Sequence, residues 1–207
     1  MKTLLAAMAI IMATGPAALA FDADTQAIID RHKSGKPVAM HDVATLMRSS
    51  AQWCYLNQNH TCAWTDIYLD VTDAGATFEI GNAWNADTDI AFTDKGVFED
   101  DRYICETGYD WVPSVRATRR SDGSVIGGRL LWDLKADIHA IRAGDIRNCF
   151  DYLYLRADAD QEVVTLLQRQ YADGVHDENG DVEVTLHMNA EDAAGLLSSA
   201  GGYVLSA

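Results

Sequence analysis

Trp53-Cys54-Tyr55-Leu56-Asn57-Gln58-Asn59-His60-Thr61-Cys62-Ala63-Trp64 is the stretch on which the reading of this chain turns. Two cysteines close together in sequence, flanked by Trp53, Tyr55 and Trp64, describe a stapled loop that opens a β-rich region. Zinc is the rival use of Cys62 beside His60, but seven residues between the cysteines is not zinc-ligand spacing, and no second Cys/His pair supports it. With Cys105 and Cys149 downstream, four cysteines allow three pairings. Proximity favours Cys54 with Cys62 and, by elimination, Cys105 with Cys149.

Upstream of the loop the pattern is helical. Asp22 and Asp24 precede Ala27, Ile28 and Ile29, and Gly35 with Pro37 supplies the stop. Val43, Leu46 and Met47 then recur at helical spacing between Met40 and Ser50. Still earlier, Lys2, an apolar run from Leu4 to Ala13 and Ala18-Leu19-Ala20 have the layout of a secretory signal peptide over residues 1–20. Residues 21–207 are then expected to form a single exported domain, with no membrane insertion once the signal is cleaved.

Downstream the period changes to two. Ile67, Leu69 and Val71 alternate with Tyr68, Asp70 and Thr72, and Asp73-Ala74-Gly75 turns the chain into Ala76, Phe78 and Ile80. Short strands follow at 89–93 and 96–99, separated by a turn at Asp94-Lys95-Gly96, then at 102–106. A further hairpin turns at Ser121-Asp122-Gly123-Ser124. Leu130, Leu131, Leu134, Ile138 and Ile141 mark a helix from Arg129, and 149–155 alternates as a strand. Asp158 and Gln161 then set up a helix carrying Val163, Val164, Leu166, Leu167 and Tyr171, ended by Gly174. Asp177 to Asp181 reads as a turn, Val182 to Met188 as a strand, and Asn189 as the cap of a last helix through Ser198. The expectation is an α+β fold: an antiparallel meander with N-terminal helices, further helices in the C-terminal half, and two disulfides.

Removing residues 1–20 takes the formal charge from −15 to −16. Such a surface repels nucleic acid and anionic membrane, and keeps an exported protein soluble. Eleven of the eighteen aromatic residues lie between 53 and 111, which places any aromatic site in that third of the chain. Trp64, Trp84 and Trp111, interleaved with Asp66, Asn82, Asn85, Asp87 and Asp110, have the chemistry of a glycan cleft, in which rings cover the sugar and acids or amides take its hydroxyls. The competing use of the same residues is to fill the core.

Asp177, Asn179 and Asp181 alternate like calcium ligands, but Val182 and Met188 stand where an EF-hand needs glycine and a bidentate acid, so only a looser calcium site is compatible. Otherwise no cofactor is expected. Residues 114–147 carry seven basic against four acidic side chains, and Arg119 and Arg120 at a hairpin end are the candidates for an anion or an acidic partner. Gly-x-Ser-x-Gly, His-Glu-x-x-His, Cys-x-x-Cys and nucleotide-binding glycine motifs are all missing. The expected function is an exported, periplasmic, non-enzymatic protein that binds a protein or glycan partner. The alternatives are a carboxylate-dependent hydrolase of envelope glycans, and a structural protein whose acidity serves solubility only.

Overall fold

The computed structural model describes residues 20–108, 111–142 and 147–198. Its first elements follow the sequence closely. Helix α1 (Ala23–Arg31) is capped by Asp22, whose Oδ1 accepts from the backbone N–H groups of Asp24 and Thr25. A short strand β1 (Lys36–Val38) leads to helix α2 (Met40–Ser49). Strand β2 (Gln52–Tyr55) then enters the stapled loop, in which β3 (Thr61–Cys62) is bridged to β2 by the Cys54–Cys62 disulfide.

The long strands come next. β4 (Trp64–Val71), β5 (Gly75–Ala83), β6 (Thr88–Glu99) and β7 (Tyr103–Glu106) run as an antiparallel meander. After a 3-10 turn at Val112–Ser114, β8 (Arg116–Arg119) and β9 (Val125–Ile126) form a hairpin beside the first half of β6, and helix α3 (Gly128–Arg142) follows. β10 (Asn148–Asp158), β11 (Val163–Ala172) and β12 (Val175–His187) complete the sheet, and the short helix α4 (Ala190–Ala193) leads to β13 (Leu197–Ser198) against β3.

Strand pairing runs β10-β11-β12-β2-β4-β5-β6-β7 and returns to β10, so eight strands close on themselves. The α+β expectation is therefore overturned: the chain is mostly antiparallel β, with few helices and a closed eight-stranded barrel. The return is narrow. β7 meets β10 only at Cys105↔Cys149 and Ile104↔Phe150, and the second disulfide joins the first of these pairs. Both disulfides match the expected pairing, and one of them clasps the barrel's seam.

Three local readings account for the error. The helix expected over Val163 to Tyr171 is strand β11. Its first four residues are all buried, so its apolar run lacks the polar alternation of a half-exposed strand. The cap-like Asp158 accepts from the N–H groups of Asp160 and Gln161 in the turn between β10 and β11, satisfying a turn instead of a helix start.

The turn expected at Asp94-Lys95-Gly96 is the middle of β6. Gly96 is there because a Cβ would lie 2.4 Å from Ile104 Cγ1, a close approach that resembles a turn signal in the sequence. The turn expected at 177–181 lies within β12, whose register against β11 slips there. The reversal itself falls at Asp173-Gly174, both with positive φ.

Helices α1 and α2 close one end of the barrel. Ile28, Val43, Leu46 and Met47 pack in the same cluster as Trp53, Tyr152, Leu166 and Leu186 from the barrel interior. Trp53 donates from its indole to Ser50 Oγ at 2.7 Å, so its buried polar edge is satisfied. A second cluster, with Ile90, Phe92, Trp111, Val115 and Ile138, packs α3 and the 3-10 turn against β6 and β8. The last helix is shorter than expected, four residues capped by Asn189.

Candidate functional site

Side chains on registered positions of neighbouring strands share a face, which identifies the barrel lining. Trp53↔Asp66↔Ile80 and Tyr55↔Trp64↔Asn82 are two rows across β2, β4 and β5, and Tyr152↔Gln168↔Val182 is a third across β10, β11 and β12. Trp53, Tyr55 and Tyr152 are buried in the main core, so these rows point inward. The interior is apolar toward α1 and α2. It turns polar toward the end that carries the stapled loop.

Asp66 is the centre of that polar half. It is 5% exposed, and its Oδ2 accepts from the Tyr55 hydroxyl at 2.7 Å. Burial pushes its carboxyl up to about 7, the Tyr55 hydrogen bond offsets part of the rise, and the negative charge of Asp94 adds to it. Burial also raises the hydroxyls of Tyr55, Tyr68 and Tyr152 far above the usual phenol range, so all three remain neutral donors. Trp64 stacks on Tyr55 with ring centroids 4.6 Å apart and planes 12° apart.

Three buried side-chain oxygens among the described residues have no hydrogen-bond partner: Asp66 Oδ1, Asn82 Oδ1 and Gln168 Oε1. Each occupies one of the inward rows. An unmatched buried acceptor costs about 1–3 kcal/mol, and three in one interior mark a place that asks for donors. Asp66 is the strongest of them, since its unmatched oxygen belongs to a carboxylate, a better acceptor than an amide oxygen.

The tryptophans expected to form one cleft fall into two clusters. Trp64 is half-buried against the barrel core, whereas Trp84 and Trp111 belong to the second cluster. Trp111 is only 8% exposed and stacks on Phe92 at 4.1 Å, so it serves as core. Asp87 is exposed in the β5–β6 turn, where its carbonyl accepts from the Arg120 N–H. The tryptophan that does face outward is Trp132 on α3, 69% exposed, which the helical apolar pattern of its neighbours concealed.

Arg119 is exposed at the end of β8, while Arg120 is half-buried and paired with Asp89. Much of the basic stretch is likewise paired internally: Arg116 with Glu79 at 2.5 Å and Arg147 with Glu99 at 2.6 Å. At the acidic segment, Asp181 receives His176 at 2.9 Å and Asp177 accepts from the Asn179 N–H, so both carboxylates are engaged locally. Glu99, Cys105 and Cys149 bring three ligand-type atoms together, but both cysteines are consumed in the seam disulfide.

Sequence reasoning counted Asp66 and Asn82 only among the polar residues interleaved with the aromatics, and it did not single out Asp66 or pair it with Tyr55. The available signal was a carboxylate in phase with Trp64 and Tyr68 on an alternating strand. The exposed Ile67 and Leu69 occupy the other phase and outweigh it in apolar character.

Comparisons with protein-family models, with curated proteins and with solved structures return no significant match. The two disulfides fit an oxidising compartment, and among the described residues no helix is long and apolar enough to cross a membrane.

Proposed function

We propose that this is an exported, periplasmic binding protein whose ligand sits in the polar half of the barrel, against Trp64. The signal-like residues 1–20 and the two disulfides support export. The observation that carries the binding reading is the set of inward acceptors without partners, Asp66, Asn82 and Gln168, beside a stacked aromatic pair. Eight-stranded barrels are wide enough to be filled by side chains or to hold one small ligand, and their mouths are common binding sites. Titrating the oxidised protein with short envelope glycan fragments tests it. Saturable tryptophan fluorescence changes lost in Trp64→Phe support the reading, and calorimetrically silent titrations count against it.

A second reading has one observation in its favour. Asp66 and Asp94 are both buried, and their interaction helps hold the Asp66 carboxyl near neutrality, as a general acid requires. A carboxylate-dependent glycan hydrolase would release reducing ends from those fragments and lose that turnover in Asp66→Asn.

A further inference from the structure

The chemistry of the interior narrows the ligand further, an inference that rests on the binding reading above. Every unpartnered buried side-chain atom among the described residues is an acceptor oxygen, and one belongs to a carboxylate. A ligand offering only acceptors would leave these atoms unmatched, and an anion would meet the charge of Asp66 with that of Asp94 behind it. Among the described residues, the inward positions of the eight barrel strands, followed by their register, hold no lysine or arginine. The protein therefore supplies no cationic side chain to Asp66 from the barrel wall.

Placement and surroundings favour an organic cation over a metal ion. Asn82 stands diagonally across the β4–β5 pair from Asp66, since Asp66 is opposite Ile80. Diagonal neighbours have Cα atoms about 7–8 Å apart, a gap that one hydrogen-bonding group can bridge with a contact to each side chain. Asp66 and Asp94 join no third carboxylate, histidine or cysteine in a ligand-atom cluster among the described residues, so a metal ion would lack its usual donor set. Tyr55 and Trp64, stacked face to face next to these acceptors, give instead an apolar aromatic surrounding that suits an organic cation better than a hydrated metal ion. We infer that the ligand carries a small organic ammonium group, received by Asp66 Oδ1 and Asn82 Oδ1 beside the Tyr55–Trp64 stack.

Butylammonium, butanol and butyrate share one shape and differ in charge. Calorimetric titration of the oxidised protein at pH 8 should show butylammonium binding at least tenfold more tightly than butanol, with no butyrate binding. Its affinity should fall about tenfold for each pH unit below about 7, as the proton competes for Asp66. Asp66→Asn, which keeps shape and the Tyr55 contact, should remove both the preference for the cation and the pH dependence. Circular dichroism confirms that the variant is folded, and Asn82→Ala provides an independent loss of affinity.

Equal binding of butanol and butylammonium overturns the ammonium assignment and leaves the binding reading standing. So does tight binding of glycan fragments with no response to any butyl probe. Calcium binding in place of butylammonium, lost in Asp66→Asn, replaces the organic cation by a metal and also overturns the assignment. Silence toward both probe families sinks the assignment and the binding reading together.

Discussion

Replacing Asp66 by asparagine should stabilise this protein at alkaline pH and not at acid pH. The Asp66 carboxyl has an ordinary value of 3.8 in the unfolded chain and is raised to about 7 when folded, chiefly by burial. Between these values the folded state keeps a proton that the unfolded state releases, so stability falls as pH rises through the window. The full penalty applies above about 7 and vanishes below about 4. The difference between the two values corresponds to roughly 4 kcal/mol.

Asparagine carries no charge, and its Oδ1 can still accept from the Tyr55 hydroxyl. Its amide N–H groups then occupy the place of the unpartnered Asp66 Oδ1, at a cost of about 1–3 kcal/mol. At pH 4 Asp66→Asn should therefore be less stable than the wild type by about 1–3 kcal/mol, and at pH 8 more stable by about 1–3 kcal/mol. Urea unfolding of both proteins at half-unit pH intervals measures this, because the difference cancels every titrating group that does not interact with Asp66. A stability difference that stays constant from pH 4 to pH 8 would refute the burial argument.

Other consequences can be checked on the same material. Replacing Cys105 and Cys149 together by alanine removes a 44-residue closed loop and should cost about 2–4 kcal/mol. Hydrogen exchange should accelerate first at β7 and β10, whose pairing is only two residues long. Gly96→Ala drives a methyl group into Ile104 and should lower stability by about 1–3 kcal/mol in thermal unfolding, whereas Gly127→Ala, where no atom lies within 4 Å of an added Cβ, should be near neutral. Asp151, 1% exposed, receives Arg102 at 2.9 Å and Arg169 at 2.7 Å on the outside of the barrel. Asp151→Asn leaves two guanidinium groups converging without their anion, and chemical denaturation should register a loss of about 2–4 kcal/mol, reduced by the partial exposure of both arginines.

The parts of the fold legible in the sequence are those set by local chemistry. Asp22 caps a helix because its carboxylate reaches two free N–H groups only a few residues away. The Asp73-Ala74-Gly75 reversal, the helix at Leu130 to Ile141 and the Cys54–Cys62 staple are equally local. Val163 to Tyr171 was illegible for the opposite reason. Its first four residues, Val163 to Leu166, are buried on both faces and show no period of their own, so their state is decided by β10 and β12, which lie on either side.

For the same reason the inward phase of the candidate site could not be read in advance. On β4 the exposed face carries Ile67 and Leu69 and the buried face carries Asp66, an inversion of the usual pattern that only the partner strands establish. Of the three tryptophans grouped from their aromatic company, Trp64 packs against the barrel core, while Trp84 and Trp111 are drawn to a different cluster by α3 and the 3-10 turn.

Taken alone, the sequence determined the Cys54–Cys62 staple, the Asp22-capped first helix, the first hairpin and the acidic charge, because each depends on residue identity or on neighbours within a few positions. Closure of the barrel, the inward phase of Asp66 and the meeting of Asp66 with Tyr55 were decided only by tertiary structure. They depend on strand register across residues far apart in the chain, and a shift of one residue in that register would turn every one of those side chains to the opposite face.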